Sequence, residues 1–173
     1  MKDTLIGYKD EKKVVALGEI IDDIKSDYKS SNKTINIVWP GRNAFLHTKI
    51  ECRPLQIETA LRYIIDNGID AVTESGHDGI VSVEVKLIEK DNYVSIRIED
   101  NGVEMPSKIR HNVFDNPLFT TKEYKGGTGL GLIMCKKIID SHGGSILFNS
   151  DNGLKIFTIK LPLKFKGDKS DAY

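Results

Sequence analysis

Apolar residues recur at steps of three and four in the first part of the chain. Between residues 14 and 28 they are Val14, Leu17, Ile20, Ile21, Ile24 and Tyr28. This spacing predicts an amphipathic helix with one narrow apolar stripe. The helix either lies on its own domain or is the last helix of a hairpin that pairs with another chain. A polar stretch at 30–33 ends it, so we assign residues 1–31 to this helical segment.

Beyond this boundary, alternating segments predict strands and helical spacing predicts helices. The predicted strands are 34–39, 45–51, 80–88, 93–99, 145–149 and 155–161. The predicted helices are 54–74, a short one at 106–114, and 130–141. Pro54 suits a first helical turn, Gly76 stops that helix, and residues 115–128 are expected to be irregular. The elements predict an α+β domain over residues 32–163, a mixed sheet with helices on one face, followed by a polar tail at 164–173.

The composition is that of an ordinary soluble domain. Lys and Arg number 25, as do Asp and Glu, so the formal net charge is zero. A domain that coats nucleic acid is not expected, because such binding needs a basic surface. Cys52 and Cys135 lack metal-ligand spacing, so we expect buried thiols in a reducing compartment. With neither a signal peptide nor an apolar run of about 20 residues, a cytoplasmic location is expected.

Three short motifs in the second half of the chain are candidates for a binding site, and each is a weak signal alone. They are residues 100–102 (Asp-Asn-Gly), 119–122 (Phe-Thr-Thr-Lys) and the glycine-rich run 126–132. Alone, a glycine-rich run before a helix is often only a flexible connection. Its chemistry nevertheless suits phosphate, because glycines let the backbone approach an anion and the free N–H groups near Leu130 point at it.

The order of these motifs resembles the catalytic and ATP-binding domain of histidine kinases, within the wider family that also holds DNA gyrase, Hsp90 and MutL. The matching blocks are an N box at 64–71, a first glycine box at 100–104, an F box at 117–122, a second glycine box at 127–132, and the closing His-Gly-Gly and Leu-Pro at 142–144 and 161–162. The resemblance covers about residues 33–163. It implies a two-layer α/β sandwich of the Bergerat type, with a mostly antiparallel sheet, that binds ATP and Mg²⁺.

The resemblance also implies residue roles. Asn67 is expected to ligate Mg²⁺ through its side-chain oxygen and to act in catalysis with Lys122. Asp100 is expected to accept a hydrogen bond from the adenine amino group, with Gly102 leaving room for the base. Residues 115–125 would form a mobile lid. The other nucleotide-binding residues implied are Asp70, Thr121, Gly127, Thr128, Gly129, Leu130 and Gly131.

Two positions depart from the family pattern. Tyr63 lies four residues before Asn67, where ATP-hydrolysing relatives carry a Glu that activates water, so an ATPase of the gyrase or MutL type is not expected. Glu104 stands where the first glycine box has its second glycine. Its side chain either points to solvent or repels the phosphate charge.

The four histidines do not fit the family's phospho-acceptor, which belongs on the first helix of a dimerising hairpin. His47 falls in a predicted strand, His77 in a turn, His111 between the glycine boxes, and His142 at a helix end. We expect structural or surface roles for all four. The acceptor histidine is therefore expected upstream of this chain or on another protein.

The sequence thus predicts a histidine kinase catalytic domain of a two-component system, with a phospho-acceptor domain and a response regulator as partners. The N-terminal helix also suggests a homodimer. One alternative is a serine protein kinase of the anti-sigma type, although that helix and the Thr-Thr-Lys of the F box favour the histidine kinase. Another is a degenerate module of the same fold that works as a scaffold, an interpretation supported by Tyr63 and Glu104.

Overall fold

The computed structural model describes residues 10–30, 36–41, 45–76, 78–115 and 130–164. The strands are β1 (Lys13–Ala16), β2 (Asn36–Val38), β3 (Lys49–Cys52), β4 (Ile80–Ile88), β5 (Tyr93–Asp100), β6 (Ser145–Asp151) and β7 (Leu154–Pro162). The helices are α1 (Leu17–Ser30), α2 (Pro54–Ser75), α3 (Ser107–Arg110) and α4 (Gly131–Ser141). A 3₁₀ turn at Glu89–Asp91 joins β4 to β5.

The strands form a mixed sheet of five and a separate pair. The larger sheet has the order β2-β4-β5-β7-β6, in which β2 is parallel to β4 and all other neighbours are antiparallel. The pair is β1 with β3, which run antiparallel. This arrangement confirms the predicted α+β class with a mixed, mostly antiparallel sheet.

One face of the large sheet is buried beneath the helices. Along β5 the residues alternate, and the buried members are Val94, Ile96, Ile98 and Asp100. The other face carries polar contacts: Glu99 accepts hydrogen bonds from Ser82 at 3.1 Å and from Arg97 at 2.7 Å. The hydrophobic core therefore lies between the sheet and the layer of α1, α2 and α4.

The long helix α2 begins and ends as the sequence predicts. Pro54 occupies its first turn, and Gly76 follows its last residue in the left-handed conformation with φ of 69°, where glycine carries no steric penalty. Its buried positions recur at helical spacing and are Ile57, Ala60, Leu61, Ile64, Ile65, Gly68, Ile69 and Val72. This helix forms the centre of the helical layer.

Three predicted boundaries are wrong. The first helix begins at Leu17 instead of Val14, because Val14 and Val15 pair with β3 as part of β1. Residues 45–47 form a turn, so the strand predicted at 45–51 begins only at Lys49, and His47 lies in that turn. The short helix predicted at 106–114 is only α3, followed by turns. Nearly all of the irregular stretch 115–128 and of the polar tail lies outside the described residues.

Helix α1 packs against α2 in the same chain. The apolar stripe, made of Leu17, Ile20, Ile21 and Ile24, is buried in the common core. Polar contacts flank it, since Tyr28 donates a hydrogen bond to Asp66 at 2.8 Å. The packing supports a helix that lies on its own domain, whereas the division at residue 31 stays a prediction. None of the described helices has the length and apolarity to cross a lipid bilayer.

Candidate nucleotide site

The candidate site is built along one face of α2. Tyr63, Asn67 and Ala71 are spaced by four residues, so they lie one above another on the helix. The loop after β5 contacts this face at Ala71, and the first residue of α4 contacts it at Tyr63. With a rise of about 1.5 Å per residue, the two contacts lie about 12 Å apart along the helix. Asn67 is halfway between them.

Gly102 brings the loop after β5 directly onto the backbone of α2. The N–H of Val103 donates a hydrogen bond to the carbonyl oxygen of Ala71 at 3.0 Å. A Cβ atom at Gly102 would lie 2.2 Å from the carbonyl carbon of Ala71 and 2.3 Å from the nitrogen of Val72. The missing side chain of Gly102 therefore makes room for the helix, whereas the room expected for a base stays a prediction.

Asp100 ends β5 at the floor of the site, where its carboxyl group is buried. Its Oδ1 lies 2.5 Å from Nζ of Lys155 and accepts the N–H of Gly102 at 3.1 Å. Burial raises the pKa of Asp100 above the ordinary carboxyl value, while the Lys155 ammonium and the Gly102 N–H act in the opposite direction. The lysine thus supplies the counter-charge that a buried carboxylate needs.

Sequence reasoning missed Lys155. In β7 the buried residues include Lys155, Phe157, Ile159 and Leu161, which alternate along one face of the strand. Lys155 therefore stands in the inward register of a strand whose other inward members are apolar. A lysine at such a position needs a buried anionic or carbonyl partner, and this pattern is the signal that could have identified it.

Asn67 and Asp70 lie on α2, three residues apart, with Asn67 half-buried and Asp70 exposed. In the described ranges, no group of three or more His, Cys, Asp and Glu side chains is placed to hold a metal ion. An Asn oxygen fits Mg²⁺, a cation that commonly keeps several waters and takes further oxygens from phosphates. The residues present therefore suit Mg²⁺ that arrives with a nucleotide.

The other end of the site is the start of α4. Leu130 precedes the helix and Gly131 begins it, and a Cβ atom at Gly131 would lie 1.5 Å from Cζ of the Tyr63 ring. The first turn has no acidic side chain, so its N–H groups keep their partial positive charge. The remaining candidates, Thr121, Lys122, Gly127, Thr128 and Gly129, lie outside the described residues.

The Glu104 carboxylate pairs with a neighbouring arginine. Nη2 of Arg110 lies 2.7 Å from Oε2 of Glu104, and Nε of Arg110 donates to the carbonyl oxygen of Met105 at 2.7 Å. The Glu104 side chain is 61% exposed. It therefore points toward solvent, which is one of the two arrangements expected for it.

The described histidines have surface or structural positions. His47 and His111 are exposed. His142 is buried, with Nδ1 2.7 Å from the carbonyl oxygen of Ile138 and Nε2 accepting the N–H of Arg53 at 3.1 Å. His77 lies outside the described residues. Cys52 and Cys135 are buried free thiols, as expected, and burial raises the pKa of each to about 12.

The fold and the motifs define a domain of the ATP-binding kinase and ATPase class. The model of the histidine kinase-, DNA gyrase B-, and HSP90-like ATPase family matches residues 52–165, and the chain belongs to that family. Sporulation kinase E of Bacillus subtilis is 34% identical over 66% of the chain, which spans 15% of that protein. Sensor protein TdiS of Thauera aromatica is 30% identical over 94% of the chain, which spans 30% of it.

Solved structures of histidine kinases have the same fold as this chain. The nucleotide-free catalytic domain of histidine kinase ThkA superimposes with a TM-score of 0.74 at 25% identity, over 89% of this chain and 97% of that one. ThkA in complex with the response regulator protein TrrA gives a TM-score of 0.67 at 21% identity, over 88% of this chain and 42% of that one. These findings confirm the family and the fold that the motifs predicted.

Proposed function

We propose that this domain binds Mg-ATP and transfers the γ-phosphoryl group to a protein histidine outside the chain, as the catalytic part of a two-component sensor kinase. One observation carries the proposal. Helix α2 contacts the loop that follows Asp100 at Ala71 and the start of α4 at Tyr63, two positions about 12 Å apart along the helix, with Asn67 between them. This separation suits a nucleotide with its base at one end and its phosphates at the other.

At the base end, Asp100 accepts a hydrogen bond from the adenine amino group. Its Oδ1 is occupied by Lys155 and Gly102, which leaves Oδ2 for the base. The ammonium beside it favours the ionised carboxylate, which is a pure acceptor, and so acts against the effect of burial. The residues present fit adenine at this end of the site.

At the phosphate end, the N–H groups that open α4 at Leu130 and Gly131 receive the phosphate charge. Asn67 holds Mg²⁺, which when bound neutralises charge on the transferring phosphoryl group. Asp70 lies on the same helix and orients water around the cation. The proposal assigns the remaining phosphate contacts to Thr121, Lys122, Gly127, Thr128 and Gly129.

The acceptor histidine and the response regulator lie outside this chain in the proposal. Among the described histidines, His142 is buried in structural hydrogen bonds, and His47 and His111 are surface residues remote from α4 in sequence. The ThkA complex offers a precedent for a response regulator partner. A cytoplasmic location and a homodimer that brings acceptor and catalytic domains together belong to the same proposal.

Titration calorimetry with a non-hydrolysable ATP analogue and Mg²⁺ tests the proposal. We expect the domain to bind with a Kd in the micromolar to submillimolar range, and Asp100→Asn to weaken binding at least about tenfold, because a hydrogen bond to a charged group contributes about 1.5–3 kcal/mol. The matched control is Asp91→Asn, an exposed carboxylate in the turn before β5. Circular dichroism checks that both variants remain folded.

The scaffold alternative has one observation in its favour. The Tyr63 ring lies directly over Gly131, at the helix N-terminus that the proposal gives to the phosphates. If no binding is detected at millimolar nucleotide in the wild type and in Tyr63→Ala, the scaffold function replaces the kinase. If nucleotide binds to Tyr63→Ala but not to the wild type, the Tyr63 side chain is the reason that the wild type does not bind nucleotide.

A further inference from the structure

Lys155 places a buried ammonium group beside the buried carboxylate of Asp100. The two residues are direct neighbours in the register of β5 and β7. Their side chains are 7% and 4% exposed, respectively. Removing both charges from water is energetically costly, and an apolar pair of similar volume often serves stability as well or better. A buried ion pair is therefore weak evidence of a stabilising role, and a role in ligand binding accounts for it as well.

The hydrogen bonds of the pair leave one donor and one acceptor unused. Nζ of Lys155 donates to Oδ1 of Asp100 and to the carbonyl oxygen of Val103, at 2.5 and 2.6 Å. An ammonium has three N–H donors and a carboxylate has two oxygens. Within the part of the chain that the structure describes, the third N–H of Lys155 and Oδ2 of Asp100 have no protein partner.

One of these two groups, Oδ2 of Asp100, is reached by solvent. Among the described residues, every fully buried side-chain nitrogen or oxygen has a hydrogen-bond partner. Since Oδ2 of Asp100 has none, it is not fully buried. Oδ2 therefore presents an acceptor to a ligand at the end of β5, and the Lys155 ammonium, with its unused N–H, lies beside the same carboxyl group.

We propose that Lys155 reads N1 of adenine while Asp100 reads the adjacent amino group. This inference rests on the proposed ATP-binding function. On the Watson–Crick edge of adenine, the amino group at N6 is a donor and the neighbouring N1 is an acceptor, which is the complement of Oδ2 and the free ammonium N–H. The contact from a charged donor is stronger than one between neutral groups. Lys155 is thus a base-specificity residue.

If Lys155 has only a structural role, a different experimental result is expected. As a counter-ion alone, it would hold Asp100 in place and affect every nucleotide that Asp100 binds to the same extent. As a reader of N1, it distinguishes ATP from 1-deaza-ATP, in which N1 is replaced by a C–H group and the amino group is retained. The ratio of the two affinities therefore separates the roles.

Titration calorimetry with ATP and 1-deaza-ATP, each with Mg²⁺, measures that ratio. We expect the wild type to bind 1-deaza-ATP about tenfold more weakly than ATP. In Lys155→Met the two affinities should agree within about twofold. Lys160→Met, which removes an exposed lysine 5.3 Å above the Tyr93 ring on the same strand, should keep the wild-type ratio.

The wild-type measurement decides the question even if Lys155→Met folds poorly. Equal affinity of the wild type for the two nucleotides would overturn the role of Lys155 and leave the proposed function standing. A tenfold ratio that persists in a folded Lys155→Met would overturn it as well. Absence of binding of either nucleotide would instead overturn the proposed function together with this inference.

Discussion

At Gly102 only a hydrogen atom lies between the loop after β5 and the backbone of α2. In Gly102→Ala the new methyl group would meet the main chain at Ala71 and Val72, which no side-chain rotation can relieve. Overpacking of this kind costs about 1–3 kcal/mol, occasionally more. We expect urea unfolding to show a loss of at least that size. Nucleotide affinity should fall with it, because the loop carries Asp100.

Gly41→Ala is the control for this substitution. No atom lies within 4 Å of the position of its Cβ, so its free energy of unfolding should change by less than about 0.5 kcal/mol. If Gly102→Ala proves as stable as this control, the loop does not contact the helix as closely as the structure shows.

Tyr63 permits a second prediction at the scale of one residue. Its phenol group is not a carboxylate base and cannot activate water as a Glu at this position would. We therefore expect bound ATP to be hydrolysed very slowly, without repeated turnover, although the nucleotide binds. A coupled assay for ADP, run with the calorimetric concentrations, measures this. Steady hydrolysis over many turnovers would instead indicate an ATPase.

Sequence reasoning located Asp100 but not its partner. The carboxylate stands in a motif that is continuous along the chain, whereas Lys155 reaches it only because β5 and β7 pair in one register. A contact between residues 55 positions apart depends on strand pairing, which one sequence does not specify. The partner of Glu104 was not predicted either, because Arg110 comes within reach of its carboxylate only after the turn before α3 is formed.

At the scale of elements, His142 connects the end of α4 to the beginning of α2. Its Nε2 accepts the N–H of Arg53, the residue that precedes α2, so this nitrogen must be unprotonated. Burial lowers the pKa of His142 below the ordinary 6.5. Below pH 6.5 the unfolded chain therefore binds a proton at this histidine, whereas the folded chain does not. Stability decreases as the pH is lowered from 6.5 to the pKa of His142 in the folded state.

The comparison of His142→Gln with wild type checks this. Urea unfolding between pH 5 and 8 should show a smaller loss of stability on acidification in His142→Gln than in wild type. His111→Gln, which removes an exposed histidine, should retain the wild-type slope. Identical slopes in all three proteins would contradict the buried neutral histidine.

The elements with local signals were predicted well and the others were not. Pro54 and Gly76 mark α2 because they act within their own turns. β1 was missed since Val14 fits the periodicity of the following helix, and only the antiparallel partner β3 draws Val14 and Val15 into a strand. Local patterns thus predicted α2, α4 and the strands of the large sheet, whereas long-range pairing decided β1 and the start of α1.

At the scale of the whole molecule, α1 belongs to the core of the domain. Ile24 is 1% exposed, and truncation of a buried Ile to Ala costs about 2–5 kcal/mol. We expect Ile24→Ala to lower the free energy of unfolding by that amount. Val14→Ala, at a position that is 61% exposed, should change it by less than about 0.5 kcal/mol.

The same unfolding measurement, repeated at two protein concentrations, tests whether α1 pairs with its own domain or with a second copy. A helix buried in its own chain gives a midpoint independent of concentration, whereas a stripe shared between two copies makes stability rise with concentration by mass action. We expect no change over a hundredfold range. The opposite result would be a midpoint that rises with protein concentration in the wild type but not in Ile24→Ala. It would show that the stripe forms the homodimer predicted from the sequence. In the structure that stripe is already covered by the rest of the domain. A dimer would therefore need other surfaces, or α1 would have to leave the core. The loss of stability in Ile24→Ala measures part of the free energy that leaving the core would cost.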